Sequence, residues 1–277
     1  IIDFHNDKKS DITLMVHPND HPNDSDLVEI DDNFRVLAIH PYPHPENTYL
    51  PNLVNAALYV IKKNILKNVI PKKGKFDLAK NTFPSLINIG SNIFGYISQE
   101  YIKDIGTPER LDKVERDIGY GIPEKLSSRN LRTAIFLDRD GTINKEVNHL
   151  SKPDQLKLIS GAGQAIRKIN RSGLLTIVVT NQPVIARGDV TWEGLKKIHA
   201  KLDYDLGQNN AYIDKIYICP HHPDKGFSGE IIEYKVKCNC RKPETGLIDR
   251  AVQELQIDRK KSWFIGDSTS DILAGKN

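Results

Sequence analysis

The second half of this chain carries the feature that most constrains its fold. Four short apolar runs alternate with segments of helical character. The runs are "RTAIFLD", "LLTIVVT" (Leu174 to Thr180), "IDKIYIC" (Ile213 to Cys219) and "SWFIGD" (Ser262 to Asp267). Between them, helices are expected over about 162–171, 191–206 and 245–255. Strands that alternate with helices imply a parallel, doubly wound sheet. Runs this apolar fit strands covered on both faces. In such a sheet, ligands bind beyond the carboxyl ends of the strands.

The strand ends carry chemistry. The first ends on Asp138 and Asp140, and the second on Thr180, Asn181 and Gln182. The fourth ends on Asp267, followed by Asp271, and Arg241-Lys242-Pro243 precedes the third helix. A parallel sheet brings these groups to one edge. Carboxylates gathered there repel each other unless a cation sits among them, and oxygen ligands favour Mg²⁺. A lysine and a hydroxyl nearby suit phosphate oxygens. Taken singly, each feature has a plainer explanation. A DxD at a strand end is often a turn with an Asx cap, and a lysine before a helix is usually solvated. Four such features in order, each at the end of a strand or the start of a helix, are not explained as turns.

The three cysteines, Cys219, Cys238 and Cys240, fall in one region of a chain of 277 residues. An odd count without an export signal argues against a disulfide framework. With His221 they make a Cys₃His set suited to structural Zn²⁺, with His222 as an alternative nitrogen ligand. The plainer alternative is three unrelated buried thiols.

"FLDRDGT", "VVTNQ", "RKP" and "FIGDSTSD" resemble the four motifs of haloacid dehalogenase-type phosphatases, over residues 131–277. The resemblance implies a three-layer, Rossmann-like α/β fold. Asp138 is then the nucleophile, forming an aspartyl phosphate, and Asp140 the general acid and base. It further implies that Mg²⁺ is held by Asp138, the backbone carbonyl of Asp140 and Asp267, with Thr180 and Lys242 on the phosphoryl group. The "CPHHP" and "CNC" pair resembles the zinc loop of the heptose bisphosphate and histidinol-phosphate phosphatases, in which the chain between motifs is too short for a cap domain. Asn144, "IARG" (Ile185 to Gly188) and "CPHHPD" favour the heptose branch. In that branch Arg241 recognises substrate and Glu146, Val147, Asn148 and His149 line the sugar site; Arg139, Asn181 and Gln182 complete the expected substrate contacts. The chain departs from the family at Pro183-Val184, where serine and glycine are usual, and at Ser268, where a lysine often stands.

The first half resembles the later part of sugar-1-phosphate nucleotidyltransferases, through "TLMVHPNDHPNDSDLVEID", "NAALYV" and "YIKDIGTPERL". By that resemblance Asp104 is a metal ligand in a complete enzyme. The glycine-rich loop that opens the family is absent, so nucleotide transfer by this chain is not expected. Strands are expected at "DITLMVH", "FRVLAIH" and "LVNAALYVI", and a helix begins at Thr107-Pro108. The tandem "HPNDHPND" reads as a polar turn rather than a metal site. Glycine, proline and serine between Gly119 and Asn130 place a linker at 123–130, between a partial nucleotidyltransferase-like domain (1–122) and a phosphatase domain (131–277).

A net charge of +3 does not argue for nucleic acid, and no apolar run approaches a membrane span. Asp3, Asp7, Lys8 and Lys9 break any signal-peptide pattern, so a cytoplasmic location is expected. Both ends read as cut, so the chain is expected to be a fragment. The function expected is Mg²⁺-dependent hydrolysis of the 7-phosphate of D-glycero-D-manno-heptose 1,7-bisphosphate, a sugar phosphate, in a bifunctional parent. Histidinol-phosphate phosphatase is the alternative enzyme. An inactive zinc-stapled assembly module is the alternative of another class, disfavoured by intact Asp138, Asp140, Lys242 and Asp267.

Overall fold

The computed structural model describes residues 1–46, 48–65, 76–226 and 228–277. The chain divides into two compact units, Ile1–Ser98 and Gln99–Asn277.

The first unit is built on a five-stranded mixed sheet. Its strands are β1 (Ile12–His17), β2 (Leu27–Ile30), β3 (Val36–His40), β4 (Val54–Ile61) and β5 (Ile93–Ile97), in the order β3-β2-β4-β1-β5. β1 runs antiparallel to β4 and parallel to β5. Ile12, Leu14, Val16, Phe83 and Ile93 form its core. The three strands expected here are present, whereas β2 and β5 were not anticipated. The "HPNDHPND" stretch is held by a local bond and by Asn52. Asn19 and Asn52 exchange bonds of 3.0 and 2.7 Å, and the His21 backbone donates to Asn19 Oδ1.

The second unit holds a four-stranded sheet, parallel throughout, in the order β8-β7-β6-β9. The strands are β6 (Ala134–Leu137), β7 (Leu175–Asn181), β8 (Lys215–Cys219) and β9 (Trp263–Ile265). Successive side chains of β6 alternate between two cores. Ile135 and Leu137 meet Ile166, Leu195, Ile198 and Leu202 on one face, from the helices Ala162–Arg171 and Trp192–Gly207. Ala134 and Phe136 meet Leu247, Ala251 and Ala274 on the other, from the helices Gly246–Leu255 and Thr269–Lys276. Helix, sheet and helix make the three layers expected from the doubly covered strands.

The stretch expected as a linker is instead part of the second unit. Residues Ile122–Leu126 form a short helix whose Ile122 and Leu126 are buried in the second core. The glycine and proline that suggested a hinge serve a helix start. Gly121 takes the left-handed conformation as N-cap, and Pro123 sits in the first turn, where its missing N–H costs nothing. The division of the chain falls earlier, after Ser98. The helix Pro108–Gly119 begins as expected, with the Thr107 side chain accepting from the Arg110 N–H at 3.3 Å. Among the described residues, no helix is long and apolar enough to cross a membrane.

Candidate active site

β6 is central in its sheet and buried along its length, so it fixes where Asp138 emerges. The Asp138 N–H donates to the Ile265 carbonyl at 3.0 Å, continuing the ladder with β9. The chain then turns sharply. Gly141 has φ +76°, and a Cβ there would lie 1.9 Å from Asp267 Oδ2. Only glycine permits that close approach and that conformation. The turn is closed by the Gly141 N–H on the Asn144 carbonyl at 2.8 Å, and it brings Asp140 back beside Asp138.

Behind Asp138 lies a buried ion-pair bridge. Lys242 Nζ is 2.8 Å from Asp138 Oδ1 and 2.6 Å from Asp271 Oδ1, with its side chain 1% exposed. The Lys242 backbone is gripped by Asn181, whose amide accepts from the Lys242 N–H at 3.0 Å and donates to its carbonyl at 3.2 Å. Asn181 therefore positions the lysine rather than reaching only toward a substrate. Asp271 is also the acidic partner of a capping box. The Ser268 N–H and hydroxyl donate to its Oδ2 at 3.0 and 2.6 Å, at the start of the last helix. This gives Ser268, one of the two departures from the family pattern, a local role. Pro183, the other, opens the short helix Pro183–Ala186.

Burial, together with the Asp271 charge, raises the Asp138 pKa, and Lys242 opposes the rise. Asp138, Asp267 and Asp271 each offer an oxygen within 4.8 Å of the others. Such a set of hard oxygen donors fits a divalent cation. Asp140 does not add its side chain to this set. Its carboxylate is held by Arg139 Nε and Nη2, by Asn144 Nδ2 at 2.8 Å and by Gln182 Nε2 at 2.8 Å. Burial would raise the Asp140 pKa, but the Arg139 charge and these bonds overrule it and hold the pKa low.

Arg139, expected as a substrate contact, borders the cleft but is buried, and its guanidinium is held by Asp140, Gln182 Oε1 at 3.0 Å and His199 Nε2 at 3.1 Å. The sequence shows only an arginine between two acids, and nothing in that spacing tells inward from outward. Thr180 and Lys242 are buried and are not among the residues lining the cleft; the Thr180 hydroxyl accepts from Gln182 Nε2 at 2.8 Å, and Lys242 reaches Asp138.

The cleft itself has a volume of about 330 Å³. Asp138, Asp140, Asp267, Glu146, Val147, Asn148, His149, Asn181, Gln182 and Arg241 all line it, as do Arg187 and Ser270. Glu146 has a raised pKa, through burial and then the charges of Asp140 and Asp267. His149 sits between Asp189 Oδ2 and Arg187 Nη1, each at 2.8 Å from one ring nitrogen. Arginine only donates, so the nitrogen facing it is the unprotonated one and the other donates to Asp189.

Cys219, His221, Cys238 and Cys240 form the second cluster, their donor atoms all within 4.8 Å of one another. Cys240 Sγ is 3.2 Å from Cys219 Sγ, Cys238 Sγ and His221 Nδ1. Cys219 Sγ lies 3.7 Å from Cys238 Sγ and from His221 Nδ1, near the edge of about 3.8 Å that Zn–S bonds of about 2.3 Å give a tetrahedron, so the donor set fits one zinc ion with small adjustments at Cys240. His222, the alternative nitrogen ligand, is not in this cluster, and its Nδ1 accepts from the Asp224 N–H at 3.3 Å. Arg241 donates to the His221 carbonyl at 3.1 Å, tying this loop to the wall of the cleft.

Four strand ends of a parallel sheet, a paired DxD and a buried lysine between two acids define a phosphatase of the haloacid dehalogenase-like class. Residues 239–277 match the hydrolase-like family model, described as HAD-hydrolase-like. The chain is 38% identical over 146 residues to the D-glycero-β-D-manno-heptose-1,7-bisphosphate 7-phosphatase of Haemophilus influenzae, covering 52% of this chain and 76% of that protein. It is also 38% identical over 141 residues to the enzyme of that name from Escherichia coli K12, covering 51% and 72%. Among solved structures, the D,D-heptose 1,7-bisphosphate phosphatase of B. bronchiseptica, complexed with magnesium and phosphate, is 31% identical, with a TM-score of 0.45 over 51% of this chain and 74% of that one. The chain belongs to the family of these heptose-bisphosphate 7-phosphatase relatives.

Proposed function

We propose that the second unit hydrolyses the 7-phosphate of D-glycero-D-manno-heptose 1,7-bisphosphate. The observation that carries this reading is the pairing of Asp138 with Asp140. One acid is neutralised by a buried lysine, and the other is steered independently by Arg139, at the mouth of one cleft. The relatives' names support the choice of substrate.

Asp138 attacks phosphorus while the bond to the sugar oxygen breaks, giving an aspartyl phosphate. Asp140 delivers a proton to the departing oxygen, then takes one from the water that cleaves the acyl phosphate. Asp140 is held ionised in the substrate-free site, so it acquires its proton as the anionic substrate enters and raises its pKa. Lys242 and Thr180 stabilise the phosphoryl oxygens. Asp138, Asp267 and the Asp140 carbonyl are the residues to hold Mg²⁺, with Asp271 close behind. When bound, the ion neutralises the charge spread over the phosphoryl oxygens. Arg241 and the segment Glu146 to His149 receive the rest of the sugar phosphate.

Zn²⁺ in the Cys₃His cluster is a structural staple that holds Arg241 against the cleft. The first unit is part of a nucleotidyltransferase-like domain. In it, a phosphatase that leaves heptose 1-phosphate has a logical neighbour. Asp104, the metal ligand of a complete enzyme by resemblance, here pairs with Arg110 in an exposed position.

The test is phosphate release with Mg²⁺ from the heptose bisphosphate and from histidinol phosphate, side by side, with Asp138→Asn as control. Preference for the heptose, abolished by the substitution, is the expected result. Preference for histidinol phosphate would keep the chemistry and overturn the substrate.

A further inference from the structure

The geometry points to His199 as a positioning residue for Asp140, acting through Arg139. The inference rests on the phosphatase reading above, in which Asp140 moves protons, and it adds a residue that no motif contains.

His199 lies on the helix Trp192–Gly207, which covers one face of the sheet. Leu195, Ile198 and Leu202 on that helix are fully buried, and His199 follows the buried stripe by one position. His199 is partly exposed, but its Nε2 reaches inward to Arg139 Nη1 at 3.1 Å. Arginine cannot accept, so Nε2 carries the lone pair and the ring is neutral. The Nε and Nη2 edge of Arg139 grips Asp140 at 2.7–3.0 Å, so His199 holds the opposite edge of the same guanidinium. Arg139 is wholly enclosed and has no water to turn to. His199 on the far edge, with Gln182 Oε1 on Nη2 at 3.0 Å, therefore holds the near edge forked on the carboxylate, and among the described residues His199 is the one acceptor on Nη1.

The ring is suited to this duty over the working pH range. Desolvation, with the Arg139 charge second, lowers the His199 pKa to about 3, so it remains an acceptor. Protonation would place an N–H against the N–H of a buried cation. The groups facing Asp140 are Arg139, Asn144 and Gln182 by hydrogen bonds, with Glu146 close enough to feel its charge. Arg139 is the cation in that shell, and its orientation sets how strongly the Asp140 carboxylate is stabilised.

The experiment compares His199→Leu, which removes the acceptor, with His199→Gln, whose amide oxygen keeps one. Both are made in the full chain, with folding checked by thermal melting. His199→Met, also without a comparable acceptor, replaces the leucine variant if that does not fold. Phosphate release from the heptose bisphosphate is followed against pH. The Asp140 carboxyl is titrated separately by ¹³C NMR, assigned with Asp140→Asn. For His199→Leu, kcat falls about tenfold with KM within about twofold, as expected for loss of a hydrogen bond to a charged group. Its alkaline limb and the Asp140 titration both move upward by about half a pH unit or more, because the carboxylate is less well held. His199→Gln stays within about threefold of the parent. An unmoved limb and titration in a folded apolar variant would overturn the proposal, as would an equal loss in both variants at every pH. If the parent itself releases no phosphate, the phosphatase reading fails. The NMR titration then still decides whether His199 governs Asp140.

Discussion

Lys242→Met is the perturbation with the sharpest consequence. The lysine is 1% exposed and lies between two carboxylates at 2.8 and 2.6 Å. Methionine fills most of its volume but leaves Asp138 and Asp271 facing each other without a cation. Removing one partner of a buried pair costs about 3–5 kcal/mol, because the remaining charge is stranded. Each kcal/mol lowers the melting temperature of a domain this size by about 2–4 °C, so a drop of about 6–20 °C is expected in metal-free protein. Protonation and metal both relieve the repulsion. The deficit should therefore shrink below pH 5 and on adding Mg²⁺. Catalysis should fall about a hundredfold or more even when the protein is folded and metal-loaded, since the phosphoryl group loses a buried donor. Differential scanning fluorimetry with EDTA and with Mg²⁺, across pH, measures all of this except the catalytic loss, which the phosphate assay reads. A variant that melts within about 2 °C of the parent under EDTA at pH 7.5 would refute the claim that this bridge compensates the clustered acids.

Three further outcomes are expected. Gly141→Ala forces a left-handed backbone on alanine and puts its Cβ 1.9 Å from Asp267 Oδ2, so Mg²⁺ affinity by calorimetry should weaken at least about tenfold. Cys238→Ser should lower the zinc content found by atomic absorption and raise KM more than it lowers kcat, because Arg241 loses its anchor through His221. Asp214 is buried, and desolvation lifts its pKa to about 7 despite the Thr176 N–H bond. A carboxyl raised in the fold loses stability as pH climbs from its unfolded value near 4 toward 7. Asp214→Asn should therefore raise the melting temperature at pH 8, by at most about 4 kcal/mol in stability, and change little at pH 4. Parallel melting curves for both proteins across that range would count against it.

Much of the second unit was legible because its signals are local. An apolar run bounded by polar residues announces a strand, and a parallel sheet then tells where the run's last residue points. That logic placed Asp138, Asp140, Gln182, Arg241 and Asp267 around one cleft. It failed where direction depends on packing. Arg139 and Asn181, read as substrate contacts, both border the cleft, but no local pattern announces that the buried Arg139 guanidinium is held by Asp140 or the Asn181 amide by the Lys242 backbone. His199 gave no sign, since a histidine beside an apolar helical stripe looks like any half-buried polar residue. Asp271 was visible as a fourth acid, but its bond to Lys242 joins two stretches far apart in sequence. β2 and β5 escaped notice because Glu29 interrupts the short apolar run of one and Gly95 that of the other. The 119–130 stretch misled because glycine and proline mark helix starts as well as hinges.

The close approach of Gly141 to Asp267 also has a meaning for synthesis. The nucleophile's strand emerges from the ribosome early and takes the centre of the sheet, but two of the three clustered acids arrive only with β9 and the helix that follows it. Until that late strand docks, Lys242 has only one of its two acids to answer, and the oxygen cage for a cation is open on one side. A nascent chain short of β9 therefore presents only one of the three clustered acids, and the full set of oxygens forms when β9 and the helix Thr269–Lys276 have docked.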